Sequence, residues 1–291
     1  SLAFFDAEDE PTFDVNGLAR VAFVNDALGR VIDESYFGTD GEPVVDVNGI
    51  ARRTQQFDAR GRVTEDSYFG ANGLPVMVRG GAATTRYTFD EAALTTVIEF
   101  FGPSNQSVRL RSGASRIVQR YGVRGELREE QFYGLDDRPV VTDAGYAHLV
   151  REYDARGNVT RELFLDAYDR PYAARGYSAL VNNYDEQNNT VLTAHLGPRG
   201  ELTPNEGGAA LVKRKFDARR FVIEESYFDA NERPVITRNG FARRTMEYNS
   251  QGHRVRENFF GADGAPFLAN SQYVTLTTVS DLNGHALEES F

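Results

Sequence analysis

Glycine returns along this chain at one interval. It stands at Gly17, Gly49, Gly81, Gly113, Gly145, Gly176, Gly208 and Gly240, with Gln272 in the ninth place, so the spacing is 32 residues throughout except for one step of 31. A period of this length means one supersecondary unit stacked many times, because a single unit cannot bury its own apolar face and must borrow its neighbours'. The missing residue falls between Pro171 and Gly176. That stretch reads as a turn, where a deletion disturbs no strand ladder.

Other columns keep the same phase. Two places after the glycine stands a small residue in eight of nine units (Ala19, Ala51, Ala83, Ser115, Ala147, Ser178, Ala210, Ala242, then Val274), which marks a crowded contact between neighbouring units. Eight places after the glycine an aromatic recurs, as Phe57, Phe89, Tyr121, Tyr153, Tyr184, Phe216 and Tyr248, usually followed by Asp or Asn and then by Gly or Asn. In FDARGR and YDARGN the Asp side chain caps a tight turn and the Gly takes the positive φ that closes it, so this is a hairpin turn. Segments such as RVTEDSYF and FVIEESYF, rich in β-branched and aromatic residues, read as strands ending in an aromatic pair. A second turn follows in GTDGEPV and GANGLPV, with a proline at Pro11, Pro43, Pro75, Pro139, Pro171, Pro234 and Pro266 that marks a strand start or edge. The stretch EAALTTVIEFF would pass for a helix alone, yet Phe100 and Phe101 fall on the columns of Tyr36 and Phe37, so the repeat makes it a strand.

The expected fold is therefore all-β: an elongated tandem β-hairpin array, solenoid-like or a spiralling sheet, of about nine units in one domain, residues 1–291. The array begins beside Phe4 and Phe5 and ends on Phe291 without polar capping repeats, and so reads as a piece of a longer one. Side chains alternate along a strand, so the two members of each aromatic pair face opposite ways. The second member (Phe5, Phe37, Phe69, Phe101, Tyr133, Leu165, Leu196, Phe228, Phe260) is nearly all apolar and is expected to be core. The first includes tyrosines and a histidine and is expected to be partly wet. Its Tyr36, Tyr68, Phe132, Phe164, His195, Tyr227 and Phe259 are the candidate ligand-binding residues. Truncating Phe69 or Phe228 is then expected to cost more stability than truncating Tyr68 or Tyr227.

An acidic column at Glu34, Asp66, Glu130, Glu162, Glu225, Glu257 and Glu289 recurs in most units. A catalytic carboxylate pair occurs once, so the column reads as cross-strand ion pairing, with Arg20, Arg52, Arg116 and Arg243 as partners. DAEDEP, GTDGEP, GADGAP and DAYDRP set oxygens at alternate places but lack the terminal bidentate Glu of a calcium loop, so they read as Asx turns. Of the four histidines only His253 and His285 share a column, too few ligands for a metal site. The residues call for no cofactor, no metal and no catalytic residue, and no nucleotide-binding, zinc-protease or serine-hydrolase motif is present. A net charge of −11 spread along the whole length speaks against nucleic acid as a partner. No run of 18 apolar residues stands ready to insert in a membrane. Cysteine is absent, which leaves the compartment open.

The strings FDARGRV, YDARGNV and FDARRFV resemble the Tyr-Asp repeats of bacterial RHS proteins. That resemblance implies long β-sheet strips in secreted or cell-surface proteins and toxin shells, although the period here is longer than is usual for the family. SYFGTDGEPV, SYFGANGLPV and SYFDANERPV resemble the choline- and glucan-binding repeats of bacterial surface proteins, whose aromatics stack on ligands. Tryptophan is absent here, which speaks against an aromatic cage for a cation. Two functions follow as expectations. One is a non-enzymatic structural or protein-interaction scaffold of a larger bacterial protein. The other is a carbohydrate-binding module for cell-wall or other glycan, using the exposed Tyr and Phe column. If one unit is specialised, it is the sixth, around Tyr184 to Leu202. There Asn188, Thr190, His195 and Leu202 all depart from their columns.

Overall fold

The computed structural model describes residues 1–173, 175–270, 274–280 and 286–290. Gln272, His285, Phe291 and the side chain of Glu289, each in a repeat column, lie outside this set, and with His285 the shared histidine column. The chain forms two compact units, Ser1–His148 and Leu149–Phe291. In the first run β1 (Leu2–Ala3), β2 (Arg20–Asn25), β3 (Val31–Phe37), β4 (Arg52–Phe57), β5 (Val63–Phe69), β6 (Thr84–Asp90), β7 (Thr95–Phe101), β8 (Arg116–Tyr121) and β9 (Leu127–Tyr133). The second has β10 (His148–Tyr153), but for its first residue, then β11 (Val159–Leu165), β12 (Ala179–Tyr184), β13 (Thr190–Leu196), β14 (Leu211–Phe216), β15 (Val222–Phe228), β16 (Arg243–Tyr248), β17 (Arg254–Phe260), β18 (Thr275–Ser280) and β19 (Ala286–Ser290). From β1 to β9, and again from β11 to β19, each strand pairs antiparallel with the next in sequence. The described residues contain no helix, and EAALTTVIEFF turns straight into β7.

Among the described residues each repeat is two strands and a short return segment, linked, except at the Asp90–Thr95 hairpin, by turns of one construction. After Gly17 these are Asp26–Gly29, Gly38–Gly41 and Asp46–Gly49. In each, the first residue's N–H donates to the carbonyl four places on, and the fourth residue's N–H donates back to the first carbonyl, at 2.8 to 3.1 Å. The fourth residue sits at positive φ (80°, 81° and 83° for the three glycines), the conformation that favours glycine. The return segment is short because Pro43 has no N–H to continue a ladder. It makes one bridge to Phe37, and the N–H of Val44 then donates to the Tyr36 carbonyl. Ser107 and Leu202 form the same bridge where proline is missing. The deleted residue belongs to this segment: three places separate Pro43 from turn residue Asp46, but only two separate Pro171 from Ala173.

The small-residue column joins adjacent repeats. The N–H of Ala51 donates to the Phe69 carbonyl within its own repeat, while its carbonyl accepts from Tyr36 of the repeat before. Ala83, Ser178, Ala210 and Ala242 repeat the arrangement, and all are buried. A larger side chain there would press on two hairpins at once.

The assignment of faces is the reverse of the expected one. The first aromatic column is the packed one: Phe100, Phe132, Phe164, His195 and Phe259 are buried, and Tyr36, Tyr68 and Tyr227 half-buried. In the second column only Leu165 is buried, and Phe5 is 54% exposed. The reason is the return hairpin, which folds onto the first face. The residue after the repeat glycine (Leu18, Ile50, Ala82, Ala114, Ala209, Phe241) is buried there. Phe241 lies 5.8 Å from the Tyr227 ring and 4.9 Å from that of Phe259, so it links the aromatics of two repeats.

Candidate functional surfaces on the two faces

On the packed face the acidic column lies beside the aromatics, two residues before each, with Asp66, Glu225 and Glu257 buried. Asp66 takes a bidentate pair from Arg53 at 2.7 and 2.6 Å and a hydrogen bond from the Tyr68 hydroxyl at 3.1 Å. In the second unit the ladder runs across four strands: Arg214 to Glu225 at 2.8 Å, Glu225 to Arg244 at 2.8 Å, Arg244 to Glu257 at 3.0 Å, then Glu257 to Arg254 at 3.2 Å. Ion pairing of this column is as expected, but its partners are not Arg20, Arg52, Arg116 and Arg243. They are Arg53, Arg151, Arg214 and Arg244 on neighbouring strands, and Arg254 on Glu257's own strand, because the acids share the first aromatic's face and period-two alternation turns Arg20, Arg52, Arg116 and Arg243 away.

This environment fixes the protonation of its members. Burial, then the charges of Glu34 and Asp46, pushes the Tyr36 hydroxyl up to about 12. Burial, with the Asp66 carboxylate beside it, pushes Tyr68 up to about 12 as well. Burial and the Glu225 carboxylate raise Tyr227 further. Burial alone would raise Glu225, but the Tyr227 hydroxyl, at 2.6 Å, and the Arg244 and Arg214 guanidiniums hold it below the ordinary carboxylate range. These tyrosines stay protonated and donate to carboxylates.

Of the seven candidate ligand-binding residues, Phe132, Phe164, His195 and Phe259 are therefore buried and Tyr36, Tyr68 and Tyr227 half-buried on the packed face. Phe132 packs against Tyr146 with ring centroids 5.8 Å apart, and Phe164 against Tyr177 at 5.9 Å. Buried rings of this kind offer no stacking platform to a sugar. His195 is held by its Nδ1, 3.3 Å from the Ala210 carbonyl, and by its Nε2, 3.2 Å from the Asn205 amide nitrogen; the Tyr177 ring lies 4.7 Å away. Asn205 Oδ1 accepts from the N–H groups of Gly207 and Ala209, so its amide points nitrogen-first at the imidazole. Nδ1–H donating and Nε2 accepting satisfies every partner with a neutral ring. Burial first, and the Arg214 charge after it, hold His195 below its ordinary pKa. The other departures of the sixth unit keep repeat geometry: Asn188 takes the positive φ, at 64°, and Thr190 pairs with Tyr184.

On the opposite face, arginine or lysine covers the second aromatic column. Arg20 lies 3.8 Å from the Phe37 centroid, Arg116 4.0 Å from Tyr133, Lys213 4.7 Å from Phe228 and Arg243 3.7 Å from Phe260. Arg52 pairs there with Asp33, and Arg243 with Glu224. At the hairpin turns Asp58 Oδ1 accepts from the N–H groups of Arg60 and Arg62, as an Asx cap does. Arg62 reaches on to the next repeat, 4.0 Å from the Phe89 ring. The aromatic-Asp motif thus serves two ends: Asp closes its own turn and the aromatic receives an arginine from the repeat before. The turn carboxylates of Asp6 and Asp166 likewise cap their own turns. Among the described residues, no three His, Cys, Asp or Glu side chains gather to hold a metal ion.

No protein-family model and no curated protein matches the chain. Among solved structures it is similar to the crystal structure of TcdB2-TccC3-TEV, at 12% identity and a TM-score of 0.35 over 94% of this chain and 15% of that one. TcdB2-TccC3 without its hypervariable C-terminal region gives the same figures. The Photorhabdus luminescens Tc holotoxin pore follows at 11% identity, with a TM-score of 0.34 over 93% and 16%. The chain spans less than a fifth of these structures' length, and overlap this slight bears on neither mechanism nor partner.

Proposed function

We propose that the protein is a non-enzymatic scaffold, an array of hairpins that presents a surface to a protein partner within a larger assembly. One observation carries this reading. The side chains with chemical potential (the acidic column, the tyrosine hydroxyls, the arginines of both faces, His195) are engaged by neighbours in contacts that recur from repeat to repeat. Recurrence of this sort supports folding and stacking, whereas a catalyst assembles one constellation at one place. A carbohydrate-binding module on the first aromatic column is less well supported, since that column is packed.

A glycan array decides between the two. The scaffold reading expects no retention of the intact protein on any glycan. Binding that weakens as repeats are removed would overturn it and restore the carbohydrate module.

A further inference from the structure

In the first compact unit the return segments line up one exposed column, the second residue after each proline or its substitute: Phe13, Val45, Met77, Arg109 and Val141. Phe13 is 52%, Val45 47% and Met77 44% exposed, and the next outward-facing residues, Val15 and Val47, are still more open. An apolar strip of this kind runs over the first three repeats and then changes character. Arg79, Arg109 and Arg111 are exposed and, among the described residues, have no carboxylate within ion-pair reach. Such a cluster is unexpected in a chain of net charge −11. The turns bearing these arginines touch, since the N–H of Arg111 approaches the Gly80 carbonyl at 3.5 Å. Arg109 also lines a cleft of about 440 Å³ with Leu135, Pro139, Val140 and the paired Asp136 and Arg138.

From this juxtaposition of an apolar strip and an unpaired arginine cluster we infer a docking track for an extended partner segment that carries apolar residues first and carboxylates after them. The inference rests on the scaffold reading and names its partner. Pitch sets the conformation. Each repeat adds two strands, so equivalent side chains are about 9.6 Å apart at about 4.8 Å per strand. A polyproline II segment rises about 3.1 Å per residue and returns to the same face every third, about 9.3 Å. A β-strand returns to the same face every second residue, about 6.8 Å, and falls out of step. The partner segment therefore presents an apolar residue at every third place to Phe13, Val45 and Met77 and a carboxylate at the next third place to Arg109, with Arg79 and Arg111, two residues beyond Met77 and Arg109 in their own return segments, flanking that end of the track.

The probe is a fluorescein-labelled peptide of roughly fifteen residues, long enough at the polyproline II rise to span the track. It has leucine at every third place of its first part, glutamate at every third place of the rest, and proline and serine between. Fluorescence anisotropy with the intact protein should show saturable binding that weakens as salt is added. The combined Arg79→Glu, Arg109→Glu and Arg111→Glu variant, folded by circular dichroism, should weaken it about tenfold or more. Val45→Ser with Met77→Ser should also weaken it. A peptide of identical composition with its anchors at every second place should bind the unaltered protein at least about tenfold less tightly. Absence of saturable binding, or equal binding by the charge-reversed variant or the permuted peptide, would overturn the proposal. So would self-association abolished by the charge reversal without peptide binding, which would make a second copy the occupant. Any of these failures leaves the scaffold reading intact, since the glycan array tests that separately.

Discussion

At the scale of single residues the turns set the clearest terms. Among the described residues, every turn of this construction asks its fourth residue for positive φ, and most supply glycine; Glu232, at 58°, and Arg220, at 70°, do not. A side chain held there carries strain of about 1–2 kcal/mol. Glu232→Gly should therefore raise stability by about 1 kcal/mol in urea melts. Gly125 sits at 82° and a Cβ there would meet nothing within 4 Å, so Gly125→Ala isolates the backbone effect and should cost about 1–2 kcal/mol. The aromatic pair gives a second test. Phe259→Ala, in the packed column beside Phe241, should cost about 3–5 kcal/mol, and Phe69→Ala, covered by an arginine, about 1–2. Tyr227→Ala should likewise cost more than Phe228→Ala, since it also strips Glu225 of its hydroxyl donor. The same melts read out that order, and the opposite one would return the core to the second column.

Between elements, the carboxylate ladder and His195 make the second unit sensitive to acid in two steps. His195 is neutral when folded and its pKa is depressed, so below the ordinary histidine value near 6.5 the unfolded chain takes a proton that the folded one refuses. Stability is then full above that value and falls as pH drops from it toward the lower folded one. Protonation would set Nε2–H against the Asn205 amide, beside Arg214, with the Tyr177 ring on its flank. Glu225 is depressed too, so its contribution is complete above its ordinary value of 4.5 and is lost as pH falls through its lower folded value. Urea melts against pH should show both declines, and His195→Phe should erase the first while leaving the second. Glu225→Gln, which strands Arg214 and Arg244, should cost about 2–3 kcal/mol at neutral pH.

For the molecule as a whole, the described repeats within each unit touch their neighbours through the same few contacts, so repeats should be exchangeable in number. Removal of residues 49–80 joins Asn48 to Gly81 and restores the Asp-x-Asn-Gly turn at the junction. The shortened protein should keep its β circular dichroism spectrum and melt cooperatively at lower denaturant, since nearest-neighbour coupling is kept while total burial shrinks. Loss of structure would show a dependence on one particular repeat.

The hairpins, their turns and the strand in EAALTTVIEFF were all legible in the sequence, because turn chemistry and alternation are local and nine copies of each signal reinforce one another. Alternation also showed that the two aromatics part company. Which of them is buried could not be read from it, since a period of two divides the faces without ranking them. Composition pointed the wrong way: Tyr68 and Tyr227 looked wet, yet their hydroxyls are satisfied by buried Asp66 and Glu225, while the apolar Phe37 and Phe69 are covered by arginine rather than by core. The ranking comes from the return hairpin, which lays Ile50, Phe241 and their equivalents on one face. That contact depends on where a turn sends the chain in three dimensions, and the same fold brings Phe13, Val45, Met77 and Arg109, each 32 residues from the next, onto one column.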